Sequence, residues 1–409
     1  MKQKVCRMCK SHQLQKFLDL DYTALSDNFL KEEQLDEPEI FFPLSVYSCL
    51  NCGLSQLGYV VSPELMFNEN YPYDSSTTKT GTTHFTNMGM SICKRFNLKS
   101  DSLVIDVGSN AGVLLTGFKS QGMKVLGIEP SSNIAKIAIN SKIDTMIDFF
   151  SEKLVKKIIK QYGNASVITG TNVFAHINDL DDFMKTCDHL LLDDGIIVIE
   201  APYLLNLIEN LEYDTIYHEH LSYISVKPMI EFCKKFNFEL FDVEEHKIHG
   251  GTLRYFIGRK NKQKISENVS KFIKLESDKQ VYSEKKLQSF SESVKNHRNS
   301  LQQLLHDLKK NGKKIVAISA PAKGNTLLNY CKIGPELLDY VTERNPLKIG
   351  KYTPGMHIPV FSDDELLKNP PDYALILAWN FADEIIKNNS EYQRNGGKFI
   401  IPIPKPVII

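Results

Sequence analysis

The chain has 409 residues, of which 42% are hydrophobic and 24% charged. At roughly 100–200 residues per domain, that length gives two to four ordinary globular domains and excludes wholesale disorder. Forty-nine Lys+Arg balance 49 Asp+Glu, and with no dense basic block the sequence excludes a dedicated nucleic-acid binder from the leading readings.

The first segment, to about Pro63, carries Cys6-Arg-Met-Cys9 and Cys49-Leu-Asn-Cys52 around an acidic turn at 31–39 and a strand at 41–48. It has no helix long enough to hold it by packing alone, so a staple is expected. Two CxxC hairpins can present four thiolates to one tetrahedral zinc, which makes Cys6, Cys9, Cys49 and Cys52 candidate metal ligands. Thiol chemistry is the alternative, although no thioredoxin-like strand–helix junction surrounds either pair. A zinc with four protein ligands has no open position and would be structural. Cys93, Cys187, Cys233 and Cys331 read as small buried hydrophobes.

A turn-rich linker containing Tyr71-Pro-Tyr73 leads to a helix over 83–96. Strands at 103–107, 124–128, 166–170 and 195–201 then alternate with helices near 113–121, 133–140 and 180–191. That alternation predicts a parallel α/β sheet covered on both faces, with 252–257 as one further strand. Residues 262–310 place Leu287, Phe290, Val294, Leu301, Leu304 and Leu308 at helical spacing, an amphipathic helix or pair of helices packed along two domains. The α/β rhythm restarts with strands at 314–319, 338–341 and 373–377, helices from Asn325 and after Trp379, and 398–401 closing the sheet. Four regions result: a zinc-binding segment 1–70, an α/β core 71–260, a helical connector 261–311 and a smaller α/β domain 312–409.

Asp106-Val-Gly108-Ser-Asn-Ala-Gly112 follows an apolar strand and opens a helix. Its glycines allow close backbone approach to a ligand, and the helix start adds positive potential. Glu129 ends the next strand, where a carboxylate can hold ribose hydroxyls. Asp148 and Phe149 could meet an adenine at the strand end after that. The spacing departs from GxGxxG, which counts against the alternative of an NAD-binding Rossmann fold. Over about residues 80–258, this order resembles the class I S-adenosylmethionine-dependent methyltransferases, whose fold is a Rossmann-like α/β sheet.

Asn172-Val-Phe-Ala-His176 falls in the crevice where open α/β sheets bind ligands, though a lone histidine there also serves as a helix-start hydrogen bonder. After the fifth strand comes Tyr217-His-Glu-His220, which supplies a donor, a base and a group to orient it. In an extended segment His218 and His220 would face one way, and a His-x-His metal site or plain structural use competes. The last motif is Ala320-Pro-Ala-Lys323-Gly-Asn325-Thr at a helix start, with Arg344-Asn-Pro346, Lys348 and His357 beyond. These cations could neutralise a diphosphate, or the domain could serve packing alone.

Taken together, the CxxC pairs, Tyr71-Pro-Tyr73, the methyltransferase core, Tyr217-His-Glu-His220, His249-Gly-Gly251 and the 320–326 run resemble the C-methyltransferases of nucleotide-linked 4-keto deoxysugars. One departure is Thr252, where a serine is expected after the two glycines. The resemblance implies S-adenosylmethionine and structural zinc as cofactors, a nucleotide-linked keto sugar as partner, and C-methylation at C3 through an enolate. It implies His220 as general base, Tyr217 and Glu219 as its companions, and His176 and Tyr71 as further active-site groups. Asp106, Gly108, Gly112, Glu129, Asp148 and Asn172 would hold the cofactor. Tyr73, Lys323, Asn325, Arg344, Lys348 and His357 would hold the nucleotide sugar. An O- or N-methyltransferase of a small metabolite is the alternative activity, and a zinc-ribbon adaptor the non-enzymatic one. Apolar runs of only strand length and the lack of a signal-like start predict a cytoplasmic protein. The lack of a coiled-coil seam leans towards a monomer.

Overall fold

The structure, a computed structural model, describes residues 1–69 and 71–409. The side chain of His249, part of the His249-Gly-Gly251 run, lies outside the described set.

The central apolar runs form a seven-stranded sheet. Its order is Phe238–His246, Thr252–Arg259, Leu191–Pro202, Ala165–Thr171, Leu103–Val107, Lys124–Ile128 and Thr145–Met146. All five residues of Leu103–Val107 are buried, as a strand covered by helices on both faces requires. Thr252–Arg259 runs antiparallel to Leu191–Pro202 and brings Phe238–His246 in beyond it, the order of a class I methyltransferase core. Thr145–Met146 is the short strand whose end was expected before Asp148, whereas strand Phe238–His246 was not expected. Nor was helix Glu152–Tyr162, although Leu154, Val155 and Ile158 give it one buried stripe and the Ser151 hydroxyl caps it. The helix expected from residue 83 starts at Lys79, because the Thr78 hydroxyl accepts the Gly81 N–H at 3.2 Å.

The N-terminal segment corrects one expectation. It does have a packed core: strands Leu14–Thr23, Phe42–Cys49 and Ser55–Leu57 form an antiparallel sheet that buries Leu18, Leu20, Leu44, Val46 and Leu57. Helix Glu284–Lys310 packs on its first strand, so the apolar partner comes from residues almost 300 positions away. A fourth strand, Ser222–Tyr223, is lent by the central region.

The connector is the helix pair Glu267–Asp278 and Glu284–Lys310, the second burying Leu287, Phe290, Val294, Leu301 and Leu305. The C-terminal sheet has the order Val360–Ser362, Val341–Glu343, Ile315–Ile318, Tyr373–Ile376, Lys398–Ile401 and Val407–Ile408. Residues 398–401 therefore do not close it, since Val407–Ile408 adds an antiparallel edge. The strand expected at 338–341 is displaced to Val341–Glu343, with Leu337 and Leu338 buried in the preceding turn.

Candidate active site

The two CxxC turns meet in space. The four Sγ atoms of Cys6, Cys9, Cys49 and Cys52 lie within 4.8 Å of one another, with Cys6–Cys52 and Cys9–Cys49 each at 3.5 Å. Sulfurs about 2.3 Å from one zinc in a tetrahedron stand about 3.8 Å apart, so the donor set fits that ion. Among the described residues this is the one group of His, Cys, Asp and Glu gathered tightly enough for a metal. His218 and His220 diverge: His218 turns to the Phe42 ring, 5.8 Å away, while His220 turns to Tyr217.

A cavity of about 380 Å³ opens at the C-terminal ends of the parallel strands. Asp106, Gly108, Glu129, Asp148, Phe149, Asn172 and His176 line it, with Tyr71 and Tyr73 of the linker across from them. Gly108 has φ +65°, and a side chain there would strike Val173 Cγ2 at 2.3 Å. Glu129 accepts the N–H groups of Asn110 and Ser131 at 3.0 and 2.8 Å, and burial nonetheless pushes its carboxyl up. Asp106 is pushed up to about 7 by burial, opposed by the Thr169 hydroxyl at 2.6 Å. Asn172 sits at φ +59° with its Oδ1 buried and without a partner, a polar atom aimed for a ligand. The cavity thus presents a carboxylate, a glycine turn, an aromatic rim and an unspent amide. Gly112 stands apart from this lining; it packs against Ile143 and Ala138 and sets the start of helix Val113–Ser120. Asn110 was missed by the sequence reading, yet it ties the glycine turn to the linker by donating to the Tyr73 carbonyl at 3.0 Å.

The Tyr217-His-Glu-His220 run is a turn, so strand-like alternation does not apply. His220 Nδ1–H donates to the Thr215 carbonyl at 2.7 Å, which leaves Nε2 to accept the Tyr217 hydroxyl at 2.8 Å. Burial, with the charge of Lys323 acting the same way, pushes His220 down to about 4. His176 is pushed well down by burial and by His220, whose ring centroid is 5.1 Å away. Glu219 accepts the Tyr71 hydroxyl at 2.9 Å and is pushed up to about 8 by burial and then by Asp27. Near neutral pH this group is therefore a pair of uncharged imidazoles beside phenol groups and a carboxyl whose proton burial favours. A second cavity, about 90 Å³, lies between Asp27, Tyr71, Tyr217 and Glu219. Asp27 comes from the N-terminal segment, and nothing local in Ser-Asp-Asn marks it.

The cations of the C-terminal region do not converge on one point. Lys323 lies over the Trp379 ring at 4.8 Å, with burial lowering its ammonium against Asp214 and Glu212. Lys348 donates to the Ala320 carbonyl at 2.7 Å and stands 3.6 Å from Asp27. His357 meets Glu39 at 2.8 Å, Arg344 meets Asp363 at 2.7 Å, and Asn325 donates to the Ser26 carbonyl at 2.6 Å. Asn345, which the sequence reading passed over, donates to the Pro72 carbonyl at 2.7 Å and fastens the Tyr71-Pro-Tyr73 linker.

Three family models match in succession: a putative zinc binding domain over residues 6–67, a methyltransferase domain over 90–243, and a C-methyltransferase C-terminal domain over 247–404. The C-methyltransferase NovU of Streptomyces niveus is 31% identical over 405 residues, covering 99% of this chain and 96% of that protein. A ubiquinone biosynthesis O-methyltransferase of Rhodopseudomonas palustris is 26% identical over 115 residues, 26% of this chain and 45% of the relative. A solved S-adenosylmethionine-dependent methyltransferase of Clostridium acetobutylicum overlays 44% of this chain and 92% of its own, at 13% identity and a TM-score of 0.36. With all three models in order and a full-length relative, the chain belongs to the family of S-adenosylmethionine-dependent C-methyltransferases of NovU type with an N-terminal zinc-binding domain.

Proposed function

We propose that this enzyme methylates C3 of a nucleotide-linked 4-keto-6-deoxy sugar through an enolate, as a step in making a branched deoxysugar. The observation that carries this reading is the buried, uncharged His220 with its Nε2 on the Tyr217 hydroxyl. A carbon beside a ketone is acidic because its anion delocalises onto oxygen, so a positioned base can ionise it. His220 is that general base, and its proton passes through Tyr217: Nε2 takes the phenol proton as the phenol oxygen takes the C3 proton. The concerted transfer avoids a tyrosinate, which burial makes costly at Tyr217. His176, whose Nε2 is buried without a partner, donates to the enolate oxygen, and Tyr71 with Glu219 holds the neighbouring face of the sugar.

S-adenosylmethionine supplies an electrophilic methyl group when bound. Asp106, the Gly108 turn, Glu129, Asp148 and Asn172 hold it, with Gly112 acting only through the helix start. Tyr73 and Lys323 face the sugar, and Arg344, exposed and paired with Asp363, would turn to the diphosphate. Asn325, Lys348 and His357 support this end by fastening the C-terminal domain to the N-terminal segment. The division of labour follows the segments 1–70, 71–260, 261–311 and 312–409.

The test is incubation with S-adenosylmethionine and a dTDP-4-keto-6-deoxy sugar in deuterated buffer, read by mass spectrometry. Methyl gain at carbon is expected, with deuterium at C3 of the sugar recovered unmethylated. Methyl gain on oxygen or nitrogen, with no carbon-bound deuterium, would overturn the reading.

A further inference from the structure

Arg7 stands between the two cysteines of the first metal-binding pair, yet its side chain leaves the knuckle and enters the protein. It is fully buried. Its Nη1 donates to the Leu57 and Leu221 carbonyls at 3.0 and 3.1 Å, and its Nε to the Asn178 side-chain oxygen at 3.3 Å. Leu221 directly follows His220, and Asn178 lies two positions after His176. The Leu221 peptide is gripped on its other side as well, since its N–H donates to the Ala175 carbonyl at 2.8 Å. Gln56 takes the backbone N–H of Arg7 at 2.8 Å, and strand Ser55–Leu57 pairs with Ser222–Tyr223. One planar guanidinium, rooted between two cysteines, thus joins the segments that carry both histidines.

We propose that Arg7 is a positioning residue that sets the placement of His176 against His220 by clamping the peptide after one and the loop after the other. It lines neither of the two cavities and so acts through those segments. Anchoring it between metal ligands gives the N-terminal domain a role in the chemistry, because the clamp can be no firmer than the knuckle that holds it. The inference rests on reading the two histidines as the reactive pair.

The experiment uses full-length, zinc-loaded Arg7→Met and Arg7→Lys, with zinc content measured and the histidine rings followed by ¹⁵N NMR. Arg7→Met should keep its zinc and bind S-adenosylmethionine within about threefold of the parent, while the His220 and His176 ring signals move. Turnover of a dTDP-4-keto-6-deoxy sugar should fall about 100-fold at a sugar KM changed less than threefold, the size expected of a misplacement near 1 Å. Arg7→Lys reaches the paired carbonyls but not Asn178 as well, and should recover about a tenth of the parent rate. Parental ring signals in folded, zinc-loaded Arg7→Met overturn the proposal; if that variant does not fold, parental ring signals in Arg7→Lys do so. Ring signals that move while turnover stays intact uphold the clamp and instead remove the histidines from the chemistry.

Discussion

The two sides of the active site are assembled in different ways. The wall proposed to hold the cofactor comes from one stretch of chain: Asp106 stands near the end of one strand, Glu129, Asp148 and Asn172 come just after the next three strands of the same sheet, and neighbouring backbone N–H groups orient Glu129. The histidine wall gathers Asp27, Tyr71, His176, Tyr217, Glu219, His220 and Lys323 from the N-terminal segment, the core and the C-terminal domain. A wall built locally should survive damage elsewhere in the molecule. A wall built from distant segments depends on how the domains dock, which is why a buried arginine from the metal knuckle and Asn345 from the C-terminal domain both end against it.

The sharpest way to break this comparison is His220→Asn. Sugar methylation and deuterium wash-in should both fall by about 10²–10⁴, the usual worth of a general base, while calorimetric affinity for S-adenosylmethionine stays within about threefold. Near-normal turnover would remove His220 from the role. Glu129→Ala is the mirror experiment. Losing a charged hydrogen-bond acceptor should weaken cofactor binding by about 10–100-fold and leave wash-in on the sugar intact. Loss of both together would mean that the walls are one cooperative unit.

The smallest effect concerns pH. With His220 at about 4, the acid limb of kcat should fall near pH 4 and not near the 6.5 of free imidazole. The same shift has a stability consequence. Between about pH 4 and 6.5 the unfolded chain binds a proton at this residue that the folded chain does not, so stability rises with pH across that window and levels above it. In urea titrations His220→Asn should show a shallower rise over the same window. An unchanged slope would place the ring in contact with solvent.

The fold was legible where spacing within a few residues decides it. The strand–helix alternation from Leu103 to Ala201 and the glycine turn after Asp106 are set by side-chain periodicity and by backbone angles that glycine adopts cheaply. The short edge strand Val407–Ile408 was not legible, because two paired residues carry no periodicity. Helix Glu152–Tyr162 could have been found, since its capping serine and apolar stripe are both local.

The sequence by itself therefore determined the metal knuckle, the cofactor loop and the kinds of side chain available to the chemistry. Only the tertiary structure decided what those side chains face. Lys348, His357 and Asn325 look alike on paper as anion-binding groups, yet Asp27, Glu39 and the Ser26 carbonyl claim them from about 300 residues away. His218 and His220, two positions apart, end in different surroundings, one against Phe42 and one against Tyr217. The reason is that leaving a buried polar group unpaired is costly, and which partner reaches Lys348, His357 or Asn325 is set by how distant segments pack.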